Sequence, residues 1–155
     1  MAMLISNEKN TKRLDNIKVS EFVDSIFGET MHQKRVESLA NAAIGLLYSE
    51  ELILHKIGQG LAQAKGLDKK HATKQIDRLL SNQKFNIWDE SGVWASHIIG
   101  ERKEIMVSMD WTDFDADNQS TIAINLLTNH GRATPLLWKT VNKSCLLYTS
   151  PSPRD

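Results

Sequence analysis

The stretch Glu104-Ile-Met-Val-Ser-Met-Asp-Trp-Thr-Asp113 decides the fold, because the apolar period of the chain changes there. Ile105, Val107 and Met109 alternate with Met106, Ser108 and Asp110, the period of two that a strand requires, and Asp110 is expected at the strand's end. Further on, Ser120 to Leu127 are rich in β-branched and apolar types, and Asn129-His130-Gly131 offers a turn before Arg132 to Val141. The pattern predicts a three-stranded antiparallel meander.

Everything before Gly100 reads as helix. Val19, Phe22, Val23 and Ile26 recur at helical spacing and stop at Gly28; Val36, Leu39, Ala40, Ala43, Ile44 and Leu47 repeat the spacing from His32 onward. Ser49 followed by Glu50 and Glu51 reads as an N-cap with an acidic first turn, opening a helix through Leu52, Leu54, Ile57, Leu61 and Ala62 that Gly66 ends. Asp68 can cap the next helix, with a buried stripe of Ala72, Ile76, Leu79 and Leu80. A fifth helix is predicted from about Ile87 to Ile99, closed by Gly100. The expected class is therefore α+β, with a helical domain over 1–101 and a β region over 102–144. Met1 to Asn10 read as a polar, frayed start.

With 19 basic and 19 acidic residues the chain is neutral, so no global field argues for nucleic acid or membrane surface. No apolar run approaches the roughly 18 to 20 residues that span a bilayer, and no signal-peptide core is present, so a cytoplasmic protein without a membrane partner is expected. The one cysteine, Cys145, excludes an intrachain disulfide. The five histidines lack zinc-ligand spacing. Trp88, Trp94, Trp111 and Trp138 sit among apolar neighbours and read as core.

The tail Cys145-Leu-Leu-Tyr-Thr-Ser-Pro-Ser-Pro-Arg-Asp155 holds two of the three prolines and has no periodicity joining it to what precedes. It resembles the translation of a sequencing-library adapter. Residues 145–155 are accordingly read as a non-native tail, and the gene product is expected to continue beyond Ser144.

Asp110 is the residue with chemistry. A carboxylate on a strand can hold a divalent metal, and phosphoryl transfer by two metals fixes a pair of hard cations with several such groups. The spacing alone also suits a turn or cap residue. Asp113, Asp115, Asp117 and Asn118 faintly suggest a calcium loop, but the bidentate Glu and central Gly are missing, and a solvated turn is the better reading.

Charge clusters in one place. Between Leu52 and Lys84 there are seven basic residues (Lys56, Lys65, Lys69, Lys70, Lys74, Arg78, Lys84) against two acidic ones (Asp68, Asp77), a local balance of plus five. Two helices joined by Lys65-Gly-Leu-Asp68 have the form of a helix-turn-helix, whose second member could lay Lys69, Lys70, His71, Lys74 and Arg78 along DNA. A solvated helix face is the alternative, and the residues leave both open.

Three segments, Gly100-Glu-Arg-Lys-Glu-Ile105, Met109 to Thr121 and Asn129-His-Gly-Arg-Ala-Thr-Pro-Leu-Leu-Trp138, together resemble the first β-hairpins of insertion-sequence family four DDE transposases of bacteria. Lys70-His-Ala-Thr-Lys-Gln-Ile-Asp-Arg-Leu-Leu-Ser-Asn82 is similar to the same family's amino-terminal domain. The resemblance covers most of residues 30–144. It implies an incomplete ribonuclease H-like domain whose first three antiparallel strands are present, with Asp110 as the first metal ligand and catalytic acid of an Asp-Asp-Glu triad. It further implies magnesium as the ion, double-stranded transposon-end DNA as partner, and self-association in the complete protein. The family hydrolyses the transposon-end phosphodiester, and the freed 3′-hydroxyl then attacks target DNA. The second Asp and the Glu lie far downstream of the first in that family and have no counterpart here, so this chain is expected to be inactive. For the helical part the resemblance implies recognition of the terminal inverted repeats, but no residue-level code carries over, and the basic residues here are expected to make phosphate contacts, not base readout.

Overall fold

The computed structural model describes residues 15–129 and 131–145. Among these, five helices precede a three-stranded antiparallel sheet, so the chain is α+β. The polar start at Met1 to Asn10, the turn residue His130 and the tail beyond Cys145 lie outside the described residues. Contacts divide the chain into two compact units between Phe85 and Asn86.

The first unit holds α1 (Asn16–Phe27), α2 (Gln33–Ser49), α3 (Leu54–Lys65) and α4 (Lys69–Leu80). Local causes start three of them. The Asp15 carboxylate accepts from the backbone N–H groups of Ile17 and Lys18, His32 Nδ1 accepts from Lys34, and Asp68 Oδ1 accepts from His71 at 3.1 Å. Gly66 ends α3 in the left-handed region (φ +66°), which favours glycine, so only Gly66, Leu67 and Asp68 separate α3 from α4.

Two buried groups hold these helices. Ile57, Leu61, Ala62, Ala72 and Ile76 join α3 to α4, and Val23, Met31, Val36 and Ala40 join α1 to α2. The helices also meet backbone to backbone. A methyl group on Gly45 would stand 2.5 Å from the Ile57 carbonyl oxygen, and one on Gly60 would run into the Gly45 carbonyl. At Gly58 the same addition would stand 2.5 Å from the α-carbon of Thr73, which sets the α3–α4 crossing.

Three sequence expectations are corrected here. Ser49 is the last residue of α2 and not the N-cap of α3: its hydroxyl lies 3.2 Å and 3.1 Å from the carbonyl oxygens of Leu46 and Glu51 and accepts from the Glu51 N–H, while Glu50 takes a left-handed conformation that turns the chain. Helix α3 therefore starts at Leu54, and Leu52 is left 85% exposed in the connection. Leu80, placed in the buried stripe of α4, is 66% exposed because it lies at the helix's last position, beyond the α3 contact.

The second unit begins with α5 (Ile87–Ile99), capped by the Asn86 side chain and packed against the sheet through a hydrogen bond from the Trp94 ring N–H to the Pro135 carbonyl. The strands are β1 (Val107–Phe114), β2 (Gln119–Leu126) and β3 (Thr134–Asn142), in spatial order β1-β2-β3. Because α5 goes with the sheet, the break in contacts falls before this helix, whereas the change of period falls after it. A bulge between Ile124 and Asn125 shifts the pairing from Leu137 to Pro135, leaving Leu136 as the extra residue of β3. Three of the four tryptophans are not core, and Trp94 is half-buried. Trp88, Trp111 and Trp138 are each exposed by more than two-fifths, since the unit has too few covering elements to enclose them. Among the described residues, no helix is long and apolar enough to cross a membrane.

Candidate functional site

The basic residues singled out on α4 all reach solvent, and helical geometry explains why. At 100° per residue, Lys70, Lys74, Arg78 and His71 fall on the arc opposite buried Ala72 and Ile76. The basic residues of α4 then divide. Lys69, Lys70 and Lys74 line a groove together with Thr73 and Asp77 of α4 and with Leu54 and Gln59 of α3. His71 and Arg78 are not part of that lining. His71 leans on the cap residue, with Nδ1 4.0 Å from Asp68 Oδ1. The groove carries three lysines against one aspartate, so it attracts anions locally within a neutral chain.

Counting charges along α4 does not reveal the far wall of the groove. Leu54 and Gln59 belong to α3 and arrive there only because Gly58 lets α3 approach Thr73 at backbone distance. The Thr73 hydroxyl is already used within its own helix, donating to the Lys69 carbonyl at 2.8 Å.

Asp110 lies in the interior of β1, not at its end as expected. The strand runs on to Phe114, since ladder pairing with β2 continues through Asp113 and Ser120 whatever the polarity of the side chains. Asp110 sits opposite Ala123, which in turn faces Trp138 on β3. The carboxylate is exposed, and its Oδ1 accepts from the Trp111 backbone N–H at 2.9 Å.

No family model, curated protein or solved structure matches the chain.

Two other acids of the meander, Asp113 and Asp115, are engaged with a lysine that directly follows β3. Lys143 Nζ lies 3.5 Å from Asp113 Oδ1 and pairs more closely with Asp115. The hydrogen bond to Asp115 raises the Lys143 pKa above its ordinary value; desolvation, the next influence in size, pulls it down, and the charges of Asp113 and Asp115 add to the rise. Around this pair, Asn118 takes a left-handed conformation, donates from Nδ2 to Asn142 Oδ1 at 3.2 Å, and accepts at its carbonyl from the Lys143 N–H at 3.0 Å. The corner is thus a stitched junction between the β1–β2 turn and the end of β3, in keeping with the turn reading of this segment. Sequence spacing could not reveal Lys143, which pairs with residues some thirty positions earlier in the chain.

Among the described residues, no three histidine, cysteine, aspartate or glutamate side chains come together in a way that could hold a metal ion. Asp110 stands apart, while Asp113 and Asp115 are drawn to Lys143. A pair of magnesium ions does not fit the acids described.

Proposed function

We propose that this chain is part of a bacterial DDE-type DNA transposase: its helical unit binds DNA, and its sheet carries the first acid of the triad. The observation that carries the reading is a meander in the order β1-β2-β3 that holds an exposed carboxylate, Asp110, on the interior of its first strand. That is the arrangement implied by the resemblance to a ribonuclease H-like domain. A rigid strand suits a metal ligand, because catalytic carboxylates must be held to a fraction of an ångström. The described acids do not complete a two-metal centre, and no step of cleavage or strand transfer is derived from them.

The test uses the gene beyond codon 144. The reading frame should continue and supply an Asp and then a Glu, and the longer protein should cut transposon-end DNA in magnesium. Asp110→Ala should abolish cutting while DNA binding persists. Equal cutting by Asp110→Ala would remove Asp110 from the chemistry.

A second reading, a DNA-binding module that occupies transposon inverted repeats without catalysis, is favoured by the groove. Lys69, Lys70 and Lys74 gather beside a short helix-turn-helix connection. Here the 155-residue chain should bind an inverted-repeat duplex. Changing Lys70, Lys74 and Arg78 together to Ala should weaken binding and lower its dependence on salt by about one unit of log–log slope for each phosphate that is no longer neutralised. Unchanged affinity in the triple variant would remove α4 as the interface.

A further inference from the structure

We infer that Gln59 reads the edge of an adenine from the α3–α4 groove, so that the DNA-binding unit has base specificity as well as phosphate affinity. This rests on the DNA-binding reading above and names the residue that would give it sequence preference.

Lysines attract a phosphate backbone but do not distinguish one sequence from another. Of the groove-lining side chains, Lys69, Lys70 and Lys74 supply that attraction, and the Thr73 hydroxyl is committed to the Lys69 carbonyl. Gln59 is different. Its carboxamide is exposed at the opposite wall, and it offers an acceptor and a donor side by side. That pair matches the N6–H donor and N7 acceptor that adenine presents in the major groove. Leu54, on the same wall, adds an apolar surface of the kind that packs on a thymine methyl.

The backbone fixes where Gln59 stands. It follows Gly58, the residue through which α3 touches Thr73, so its α-carbon is held at the tightest point of the α3–α4 crossing. Asp77 sets the direction of the bound strand. Its carboxylate repels a phosphate and lies seven residues beyond Lys70, about 10 Å along the helix at 1.5 Å per residue, so the phosphates are drawn toward the Lys69–Lys70 end. The groove has a volume of about 520 Å³ and is open to solvent, which suits a surface laid against a duplex.

The experiment selects duplexes from a randomised pool with the full chain and with three variants, and sequences what is bound. The wild type should enrich a motif containing an adenine. Gln59→Ala should flatten the preference at that position by roughly fivefold or more, with the salt dependence unchanged. Gln59→Glu should move the preference at the same position toward cytosine, whose N4 group donates to a carboxylate, an effect that loss of folding does not produce. Lys74→Ala should weaken every sequence alike and lower the salt slope by about one. Retention of the full motif by Gln59→Ala, or wild-type binding without any base preference, overturns the inference and leaves the DNA-binding reading standing. No duplex bound at any salt concentration overturns that reading and the inference with it.

Discussion

The two units of the chain solve the burial problem differently. In the helical unit the large side chains Ile44, Leu61 and Ile76 are almost wholly enclosed, and glycines bring the helix backbones together. In the second unit α5 has no buried residue, and among the described residues of the strands only Ser120, Leu126 and Leu136 are buried. Val107, Met109, Trp111, Phe114 and Trp138 remain exposed there, Met109 by 65%. Four helices are enough to close a core around a central seam, whereas a three-stranded sheet has two faces to cover and one helix against it. The apolar faces of the sheet follow from this shortfall, and they are a liability for association and aggregation.

The comparison can be broken most directly by truncating one apolar side chain in each unit. Leu61→Ala should destabilise the helical unit by about 2–5 kcal/mol in chemical denaturation, the range for a buried leucine whose site cannot collapse. Met109→Thr in the sheet should change stability by about 0.5 kcal/mol or less, as an exposed substitution does, and should make the protein less prone to associate. Equal costs would mean that Met109 is covered in solution.

A smaller effect sharpens the same contrast. Gly58→Ala should cost about 1–3 kcal/mol through overpacking against Thr73, even though alanine is the better helix former. A neutral or stabilising result would show that α3 and α4 can move apart without loss. The smallest effect belongs to the corner of the meander. Lys143 has a raised pKa, so its pairing stabilises the fold fully below the ordinary lysine value of about 10.4 and is lost as pH rises through the raised one. Lys143→Met should therefore melt slightly below the wild type at neutral pH, and the two should converge in strong alkali. A gap that persists there would assign the effect to packing of the lysine stem.

Much of this architecture was legible in the sequence, for reasons that can be named. Ile87 to Ile99 reads as helix and is one: Gly100 marks its end in the sequence, and the structure adds the Asn86 cap at its start. The meander is legible because Ile105 to Asp110 alternate with a period of two and Ser120 to Leu127 are rich in β-branched types. The failures are of another kind. Periodicity gives the existence of a helix but not how far its partner extends, which is why Leu80 reads as buried in the sequence. Ser49 before two glutamates imitates an N-cap, and only the left-handed Glu50 reveals the end of α2. Asp110 reads as terminal because the polar run after Trp111 suggests a loop, although main-chain pairing takes no account of side-chain polarity. Of the candidate interface, the lysines were visible as charges on one helix. Gln59 and Leu54 were not, since their place in the groove depends on two helices crossing at Gly58.

That crossing bears on motion as well as shape. At Gly45, Gly58 and Gly60 the main chains come so close that the space a side chain would fill is taken by the neighbouring helix, which leaves little room for water to enter. The amides of this seam should exchange with deuterium only when the whole unit opens, whereas those on the unpaired side of β1, an edge strand, should exchange at once. The platform that positions the groove is thus among the slowest parts of the molecule to open, and the strand that carries Asp110 has one of its most accessible backbones.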